Sequence, residues 1–203
     1  MKRKYFVFDL ECVPEENMPS WKSDIIEDKI KNKRGDNKDA IKYASLNPEM
    51  GKIVCITIYD SETDKSFVLS GTEEVILQSF WDYYKEHIGT TVVGFNSKRF
   101  DSVYISKRSC ILNINNYGLI IPNRRYDTIH HFDCLEILSN FYTTEMFTLD
   151  VYCKLYGVHY ENDNDGSEIL ELYQAGKYDE IYTKCLNDIK ATDALYKKIY
   201  AYL

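Results

Sequence analysis

Two carboxylates, Asp9 and Glu11, close an apolar run near the amino terminus, the stretch YFVFDLE at residues 5–11. Side chains alternate between the faces of a strand, so residues two apart project to the same side. Two like charges held together repel each other unless a positive group lies between them, and a divalent cation is the usual solution. A solvated strand end is the alternative, and it is the commoner meaning of an isolated D-x-E pattern. Further carboxylates are therefore needed to favour a metal site.

A third carboxylate, Asp101, follows a short β-branched strand that breaks at Gly94 and Asn96. Asp101 opens an amphipathic run whose apolar residues are 103–105, which places it in the first turn of a helix, pointing back towards the strand ends. An acid at this position is equally well explained by the helix dipole, which stabilises it by about 0.3–1 kcal/mol.

The fourth carboxylate, Asp188, belongs to a carboxyl-terminal helix. A stripe close to the 3.6-residue period predicts this helix over 179–202. The stripe consists of Ile181, Cys185, Leu186, Ile189, Leu195 and Ile199. Asp188 shares a helix face with Lys184 and Thr192, one turn to either side.

Acids arriving in the order Asp, Glu, Asp, Asp from a strand and two helices resemble the DEDD superfamily of 3′→5′ exonucleases. More narrowly, the chain resembles the predicted exonucleases related to the proofreading domain of family B DNA polymerases. The segments that carry this resemblance are Gly94-x-Asn96-x-x-x-Phe100-Asp101, residues 131–135, residues 149–157, residues 165–177 and the Cys185/Asp188/Thr192 pattern. They cover most of the chain apart from residues 14–50.

The resemblance implies an α/β fold, an RNase H-like three-layer sandwich with a five-stranded mixed sheet flanked by helices. It implies a metal-dependent 3′→5′ exonuclease that releases nucleoside monophosphates from single-stranded or frayed 3′ ends, with DNA favoured over RNA. An exoribonuclease remains an alternative. The implied metal ligands are Asp9, Glu11, Asp101 and Asp188, with Asp9 bridging, Glu11 and Asp188 completing one metal and Asp101 holding the other.

The chemistry agrees with this ligand set. Phosphodiester cleavage needs an activated water, a stabilised phosphorus centre and a stabilised leaving oxyanion, and two cations about 3.5–4 Å apart serve all three needs. Hard carboxylate oxygens suit two Mg²⁺ or Mn²⁺ ions.

One position departs from the superfamily pattern, in which a Tyr four residues or a His five residues before the last Asp positions the attacking water. Here those positions hold Lys184 and Thr183. We include Lys184 among the catalytic candidates, because a lysine whose pKa is lowered by burial can orient water, and an ammonium can bind a phosphate oxygen. A solvated helix lysine is the alternative. The departure also leaves open a catalytically weakened nucleic-acid-binding or polymerase-accessory module.

Basic and aromatic residues bracket the predicted metal site in sequence. The predicted substrate-binding residues are Asn96, Phe100, Arg124 and Arg125. The pair Lys98-Arg99 flanks the third acid, His131 is a candidate for touching substrate near Asp133, and Tyr126 is a candidate for stacking on a terminal base. The net charge of −7 argues against tight non-specific binding of nucleic acid. Local basic clusters can still serve.

Periodicity predicts strands near 4–9, 53–60, 65–69, 91–94 and 129–133, and helices near 72–88, 101–112, 134–140, 147–156, 166–175 and 179–202. At 203 residues with 44% apolar content, the chain is expected to form a single exonuclease-like domain over 1–203. A charged insertion at about 14–50 interrupts it, either as a helical flap over the site or as a mobile loop.

The amino-terminal run and the cysteines predict the cellular compartment of the protein. The apolar run after the basic start ends at Asp9, too short for a signal sequence or a membrane span. Six cysteines without C-x-x-C spacing indicate reduced core residues of a cytoplasmic protein. The expected partners are single-stranded or 3′-end nucleic acid and a DNA polymerase or another replication protein, with no membrane.

Overall fold

The computed structural model describes residues 4–32, 37–161 and 168–202, and for residues 32 and 37–39 the backbone alone. The described residues form five strands and eight helices. In chain order these are β1 (Tyr5–Pro14), α1 (Ser20–Asn32), α2 (Asn37–Ser45), β2 (Gly51–Asp60), β3 (Lys65–Leu69), α3 (Glu73–Glu86), β4 (Thr91–Gly94), α4 (Asp101–Ile111), β5 (His131–Asp133), α5 (Cys134–Leu138), α6 (Leu149–Tyr156), α7 (Ile169–Gln174) and α8 (Tyr178–Tyr200).

The strands form one mixed sheet in the order β3-β2-β1-β4-β5. β1 pairs with β2 and β2 with β3 in antiparallel fashion, whereas β1 pairs with β4 and β4 with β5 in parallel fashion. The five-stranded mixed sheet expected from the sequence is confirmed. Its central strand is β1, the strand that carries Asp9 and Glu11.

Side chains of β1 alternate between the two faces of the sheet, and helices pack on both faces, so the protein has three layers. Phe6, Phe8 and Leu10 face a core built with α3 and α4. Tyr5 and Val7 face the other core, built with α5, α6 and α8. Residues two apart on a strand share a face, so Asp9 and Glu11 belong to the face that α8 covers.

β1 extends five residues beyond the predicted end at residue 9. Its pairing with β2 continues to Pro14 opposite Gly51, with a register shift between Glu11 and Cys12. The two acids therefore lie within a central strand and not at its exposed end. A register shift of this kind bends the strand locally, and such irregularities often occur next to active sites.

β5 is shorter than predicted and begins at His131. The carboxylate of Asp127 accepts hydrogen bonds from the backbone N–H groups of Ile129 and His130, at 3.1 and 2.9 Å, and holds them in a turn. The predicted helix 166–175 is α7, which begins at Ile169; residues 162–167 lie outside the described residues.

The described part of the 14–50 segment consists mainly of two helices, α1 and α2. α1 and α2 share a small core made of Ile26, Ile30, Ala44 and Met50. Two hydrogen bonds tie the end of this segment to α4, from the Tyr104 hydroxyl to the Ser45 carbonyl at 2.9 Å and from Arg108 to the Pro48 carbonyl at 3.2 Å. The thiol of Cys12 also donates to the Ser45 carbonyl at 3.1 Å, so α2 ends beside β1, next to Glu11.

All six cysteines are free thiols. Four of them are buried as expected of core residues, whereas Cys12 is half-buried and Cys110 is exposed. Among the described residues, no helix is both long enough and apolar enough to cross a bilayer.

Candidate active site

Carboxylates from β1, α4 and α8 converge beside the central strand. Asp101, the first residue of α4, accepts a hydrogen bond from the Leu10 backbone N–H at 3.2 Å, which brings it beside the two acids of β1. Asp188 reaches the same cluster from α8, where Lys184 links it to Glu11. Glu11, Asp101 and Asp188 are all at least nine-tenths buried. The structure thus brings together the four acids that the sequence singled out.

Burial and mutual repulsion govern the protonation of these acids. Burial raises the pKa of Asp9 well above its ordinary value, and the neighbouring Asp101 and Asp188 add to the effect. Burial likewise raises the pKa of Glu11 to about 7, against the opposing attraction of Lys184. The pKa of Asp101 rises to about 8, chiefly through burial. The centre therefore holds more negative charge than its surroundings stabilise.

Lys184 is the cation that the described part of the chain provides for this charge. Its ammonium lies 2.6 Å from Oε1 of Glu11 and 3.1 Å from Oδ2 of Asp188, and only 15% of its side chain is exposed. Burial opposes the charge, but the carboxylates of Glu11 and Asp188 outweigh it and raise the pKa of Lys184. The expectation of a lowered lysine pKa, and the alternative of a solvated helix lysine, are both wrong for this arrangement.

A tyrosine that the sequence analysis missed also contacts the acids. The hydroxyl of Tyr160, in the segment after α6, donates a hydrogen bond to Oδ1 of Asp188. Lys184 and Tyr160 thus hold the two oxygens of one carboxylate. Residues 158–161 follow no strand or helix period, so no pattern pointed to Tyr160.

The donor set fits hard divalent cations. Ligand atoms of Asp9, Glu11 and Cys185 lie within 4.8 Å of one another. The thiol of Cys185 donates to Oδ2 of Asp9 at 3.2 Å, and burial raises its pKa well above the ordinary value, so it stays a thiol and orients a carboxylate. The remaining donors are carboxylate oxygens, which Mg²⁺ and Mn²⁺ prefer.

Asp133 holds the loop that precedes Asp101. Its carboxylate accepts hydrogen bonds from the backbone N–H groups of Asn96 and Lys98, at 2.9 and 3.0 Å, and also caps α5. Asn96 adopts a left-handed conformation with φ of 61°, which an asparagine tolerates better than most residues. A Cβ at Gly94 would lie 2.2 Å from Oγ of Ser97, so the chain needs glycine there. This frame fixes where α4 begins.

The expectation that Lys98 is a free basic group beside Asp101 is wrong. It is 4% exposed, and its ammonium contacts the buried carboxylate of Glu136 and the carbonyls of Arg124 and Asp127. An ammonium in a buried ion pair cannot neutralise a phosphate without breaking that pair. Lys98 therefore belongs to the framework of the fold.

His131 is also a framework residue, contrary to the idea that it touches substrate. It is completely buried, with Nε2 at 2.8 Å from Oγ of Ser97 and Nδ1 at 2.5 Å from the Pro122 carbonyl. Burial lowers the pKa of His131 to about 3, so the ring is neutral.

The other predicted substrate-binding residues lie at the surface or just below it. Phe100 is half-buried and packs against Tyr104, with ring centroids 5.5 Å apart. Arg124 and Arg125 are exposed. Arg125 donates to the Phe141 carbonyl and lies over the ring of Tyr126, 5.0 Å from its centroid.

Sheet order, layers and acidic centre together define an RNase H-like α/β sandwich with carboxylates on its central strand. Residues 45–202 match the family described as predicted 3′-5′ exonucleases related to the exonuclease domain of PolB. The chain belongs to this family. Asp101, Lys184 and Asp188 fall inside the matched residues, whereas Asp9 and Glu11 precede them. No curated protein matches the chain.

Among solved structures, the family B DNA polymerase from the hyperthermophilic archaeon Pyrobaculum calidifontis is similar, with a TM-score of 0.71 and 19% sequence identity. The match covers 98% of this chain and 25% of the polymerase chain. At this identity the likeness shows the fold, and it confirms the expected RNase H-like architecture.

Proposed function

We propose that the protein is a metal-dependent 3′→5′ exonuclease that releases nucleoside monophosphates from single-stranded or frayed 3′ ends, with DNA as the favoured substrate. The observation that carries the proposal is the convergence of Asp9, Glu11, Asp101 and Asp188, for which the described residues supply one ammonium, that of Lys184, bound to Glu11 and Asp188. One ammonium cannot balance four carboxylates held this close together. A purely structural ion pair would need only one acid for this lysine.

The four carboxylates are the groups that would hold two Mg²⁺ or Mn²⁺ ions. Such ions supply an activated water and stabilise the charge that develops on the phosphate and the leaving oxygen. The chain's own part is to fix the oxygens: Leu10 holds Asp101, Cys185 holds Asp9, and Tyr160 holds Asp188. Ligands fixed in this way lose little freedom when a cation or a substrate binds.

Lys184 acts in this proposal as a hydrogen-bond donor. Its raised pKa keeps the ammonium charged, so it has no free electron pair with which to accept a proton from water. An ammonium at this position can donate to a non-bridging phosphate oxygen or to the attacking water. Lys184 stands at the position of the Tyr of the DEDD pattern, and its positive charge would take over the positioning of the water or the phosphate.

The test is digestion of 5′-labelled single-stranded DNA and RNA with Mg²⁺, Mn²⁺ or EDTA, resolved by product length. We expect a ladder that shortens from the 3′ end, requires metal and is faster on DNA. Asp101→Asn should abolish it, because the amide keeps the shape of the carboxylate without its charge. Asp150→Asn is the matched control, since Asp150 is the first-turn acid of α6 as Asp101 is of α4. Release of the label as a mononucleotide without a ladder, which indicates degradation from the 5′ end, or full activity in EDTA, would contradict the proposal.

The contact between Lys184 and two of the acids also favours a second candidate, a catalytically weakened module that binds nucleic acid without cutting it. Retained oligonucleotide binding with no cleavage in any metal would favour this module. Faster cleavage of RNA than DNA would instead favour the exoribonuclease alternative.

The proposed setting follows from the proposed substrate. A protein with free cysteines that trims 3′ ends fits a cytoplasmic location, where a DNA polymerase or another replication protein is a suitable partner. The charged 14–50 segment is proposed to be an insertion in a single domain that spans 1–203.

A further inference from the structure

Arginine and aromatic side chains form a continuous surface next to the start of α4. It consists of Arg99, Arg125, Tyr126, Phe141 and Tyr142, and we call it the arginine–aromatic surface. The Arg99 guanidinium lies 4.6 Å from the ring centroid of Tyr142, and the Tyr126 and Phe141 rings lie 4.5 Å apart. Arg125 lies in the loop before β5 and Phe141 in the loop after α5, and the Arg125 guanidinium joins these two loops by donating a hydrogen bond to the Phe141 carbonyl.

A buried ion pair supports this surface from below. Lys98 and Glu136 are 4% and 1% exposed, and together they contact both loops. Lys98 binds the carbonyls of Arg124 and Asp127, and Glu136 accepts from the Tyr126 backbone N–H at 3.3 Å. The Phe141 backbone N–H donates to the Glu136 carbonyl at 2.6 Å. The aromatic rings are therefore presented by a fixed framework.

The backbone at this surface adopts conformations that most side chains avoid. Tyr126, Phe141 and Tyr142 have φ of 71°, 59° and 64°. Bulky residues rarely occupy this left-handed region unless their surroundings hold them there. Tyr126 nevertheless keeps 61% of its surface exposed. An aromatic ring held in this conformation and still open to solvent is available to a ligand.

Position and charge indicate the ligand. Arg99 precedes Asp101 by two residues, so the Arg99 end of the surface lies beside the carboxylate centre. The chain carries a net charge of −7, yet two exposed arginines, Arg99 and Arg125, belong to this surface, and the exposed Arg124 precedes Arg125. Guanidinium groups bind phosphates bidentately, and aromatic rings stack on unpaired bases. Bases within a duplex are already stacked and do not offer their faces.

We propose that the arginine–aromatic surface binds single-stranded nucleic acid upstream of the 3′-terminal nucleotide, with Tyr126 stacking on a base and Arg99 and Arg125 contacting phosphates. This inference deepens the proposed function by giving the nuclease a site for the unpaired strand. It separates holding the strand from cutting it, because the surface and the carboxylate centre use different residues.

The first test measures binding without cleavage. Fluorescence anisotropy with a labelled oligothymidylate of about 15 nucleotides in EDTA reports affinity alone. Tyr126→Asn removes the ring while tolerating the left-handed backbone, and we expect it to weaken binding by about 5- to 100-fold. Tyr126→Trp keeps an aromatic ring and should bind the oligonucleotide with the wild-type affinity. Arg99→Gln should lower the slope of log affinity against log salt by about 0.7, the value of one phosphate contact on a single strand.

Tyr117→Asn is the matched control. Tyr117 also has a positive φ, 55°, and also lies beside a cation, 4.1 Å from Lys85, but its hydroxyl is bound to the acidic Asp82. We expect no change in affinity for this variant. A blunt duplex of the same length should bind more weakly than the single strand and respond little to Tyr126→Asn. The inference is overturned by unchanged single-strand affinity of Tyr126→Asn, by an equal loss in Tyr117→Asn, or by no binding to the wild-type protein.

A second test distinguishes failure of the surface from failure of the nuclease. The p-nitrophenyl ester of thymidine 5′-phosphate reports the carboxylate centre alone, because it has no upstream strand. With Mn²⁺ we expect the wild-type protein to hydrolyse this ester and Tyr126→Asn to degrade the oligonucleotide with a raised KM. A wild-type protein that cleaves neither substrate contradicts the nuclease, and the binding measurement still decides the surface.

Discussion

The ammonium of Lys184 lies 2.6 Å from Oε1 of Glu11, a contact that joins α8 to the central strand across 173 positions of sequence. Glu11 is one of the four acids that would hold the metal ions, so this bond places the chain's own cation among their ligands. A divalent cation that binds Glu11 and Asp188 therefore competes with Lys184 or takes over part of its role.

Removing this ammonium should destabilise the metal-free protein. In Lys184→Met the carboxylates of Glu11 and Asp188 lose their shared partner, and breaking a buried pair costs about 3–5 kcal/mol. Because 15% of the lysine side chain is exposed, we expect about 2–4 kcal/mol. In EDTA the Tm should fall by about 5–15 °C. Mg²⁺ should raise the Tm of this variant more than that of wild type, since the ion replaces the lost charge. Equal Tm gains in both proteins would count against the competition.

Lys184 should also set the rate of cleavage. We expect Lys184→Met to lower kcat, because it removes a donor to the phosphate or the water. Lys184→Tyr restores the residue of the DEDD pattern and should preserve or raise kcat. Single-turnover cleavage of labelled DNA by the three proteins measures this directly. Equal rates for all three would remove Lys184 from the mechanism and leave it a structural role.

Tyr160 should matter through Asp188, whose Oδ1 its hydroxyl contacts. Tyr160→Phe keeps the ring and removes one hydrogen bond to a charged group, a loss of about 1.5–3 kcal/mol, or about 10- to 100-fold. We expect this loss in the apparent affinity for Mg²⁺, read from cleavage rates in a metal titration. Tyr156→Phe, at an exposed tyrosine of α6, is the control. An unchanged metal titration in Tyr160→Phe would show that the contact does not position the carboxylate.

Much of the fold follows from local pattern. The shared face of Asp9 and Glu11 follows from strand alternation alone. Helix periodicity located α8 and placed Lys184 and Asp188 one turn apart, which the ion pair between them confirms. Both patterns involve short sequence separations, where the geometry of a single element fixes the answer.

The rest depends on long-range packing that a sequence pattern does not report. β1 continues beyond its predicted end because its last residues are held by pairing with β2. The sequence predicts a free basic group at Lys98 because its partner, Glu136, is 38 residues away and only the fold buries both. Tyr160 lies in irregular chain, and nothing local separates it from the other seventeen tyrosines.

The raised pKa values of the acids predict how stability depends on pH. Burial raises the pKa of Glu11 to about 7 and that of Asp101 to about 8, whereas carboxyls of the unfolded chain titrate near 4. The native state keeps these protons after the unfolded state has lost them, so their contribution is complete below about pH 4 and is lost as pH rises through 7 and 8.

In EDTA we therefore expect these two acids to make the Tm fall between about pH 5 and pH 8 and to have no further effect above that. Asp101→Asn cannot titrate and should flatten the upper part of this decline, while saturating Mg²⁺ should reverse it by binding the ionised acids. Thermal unfolding at a series of pH values tests the point. A Tm that rises over this interval in EDTA would mean that the acids are stabilised as anions.

The buried pair of Lys98 and Glu136 allows stability and strand binding to be separated. Lys98→Met leaves the Glu136 carboxylate unpaired at 1% exposure, and we expect a loss of about 3–5 kcal/mol of unfolding free energy. Adding Glu136→Gln removes the stranded charge and should recover part of this loss, as urea unfolding would measure. The double variant should remain folded yet bind oligothymidylate more weakly, because the loops of Arg125 and Phe141 lose their common anchor. Full strand affinity in the folded double variant would show that the pair contributes to stability alone.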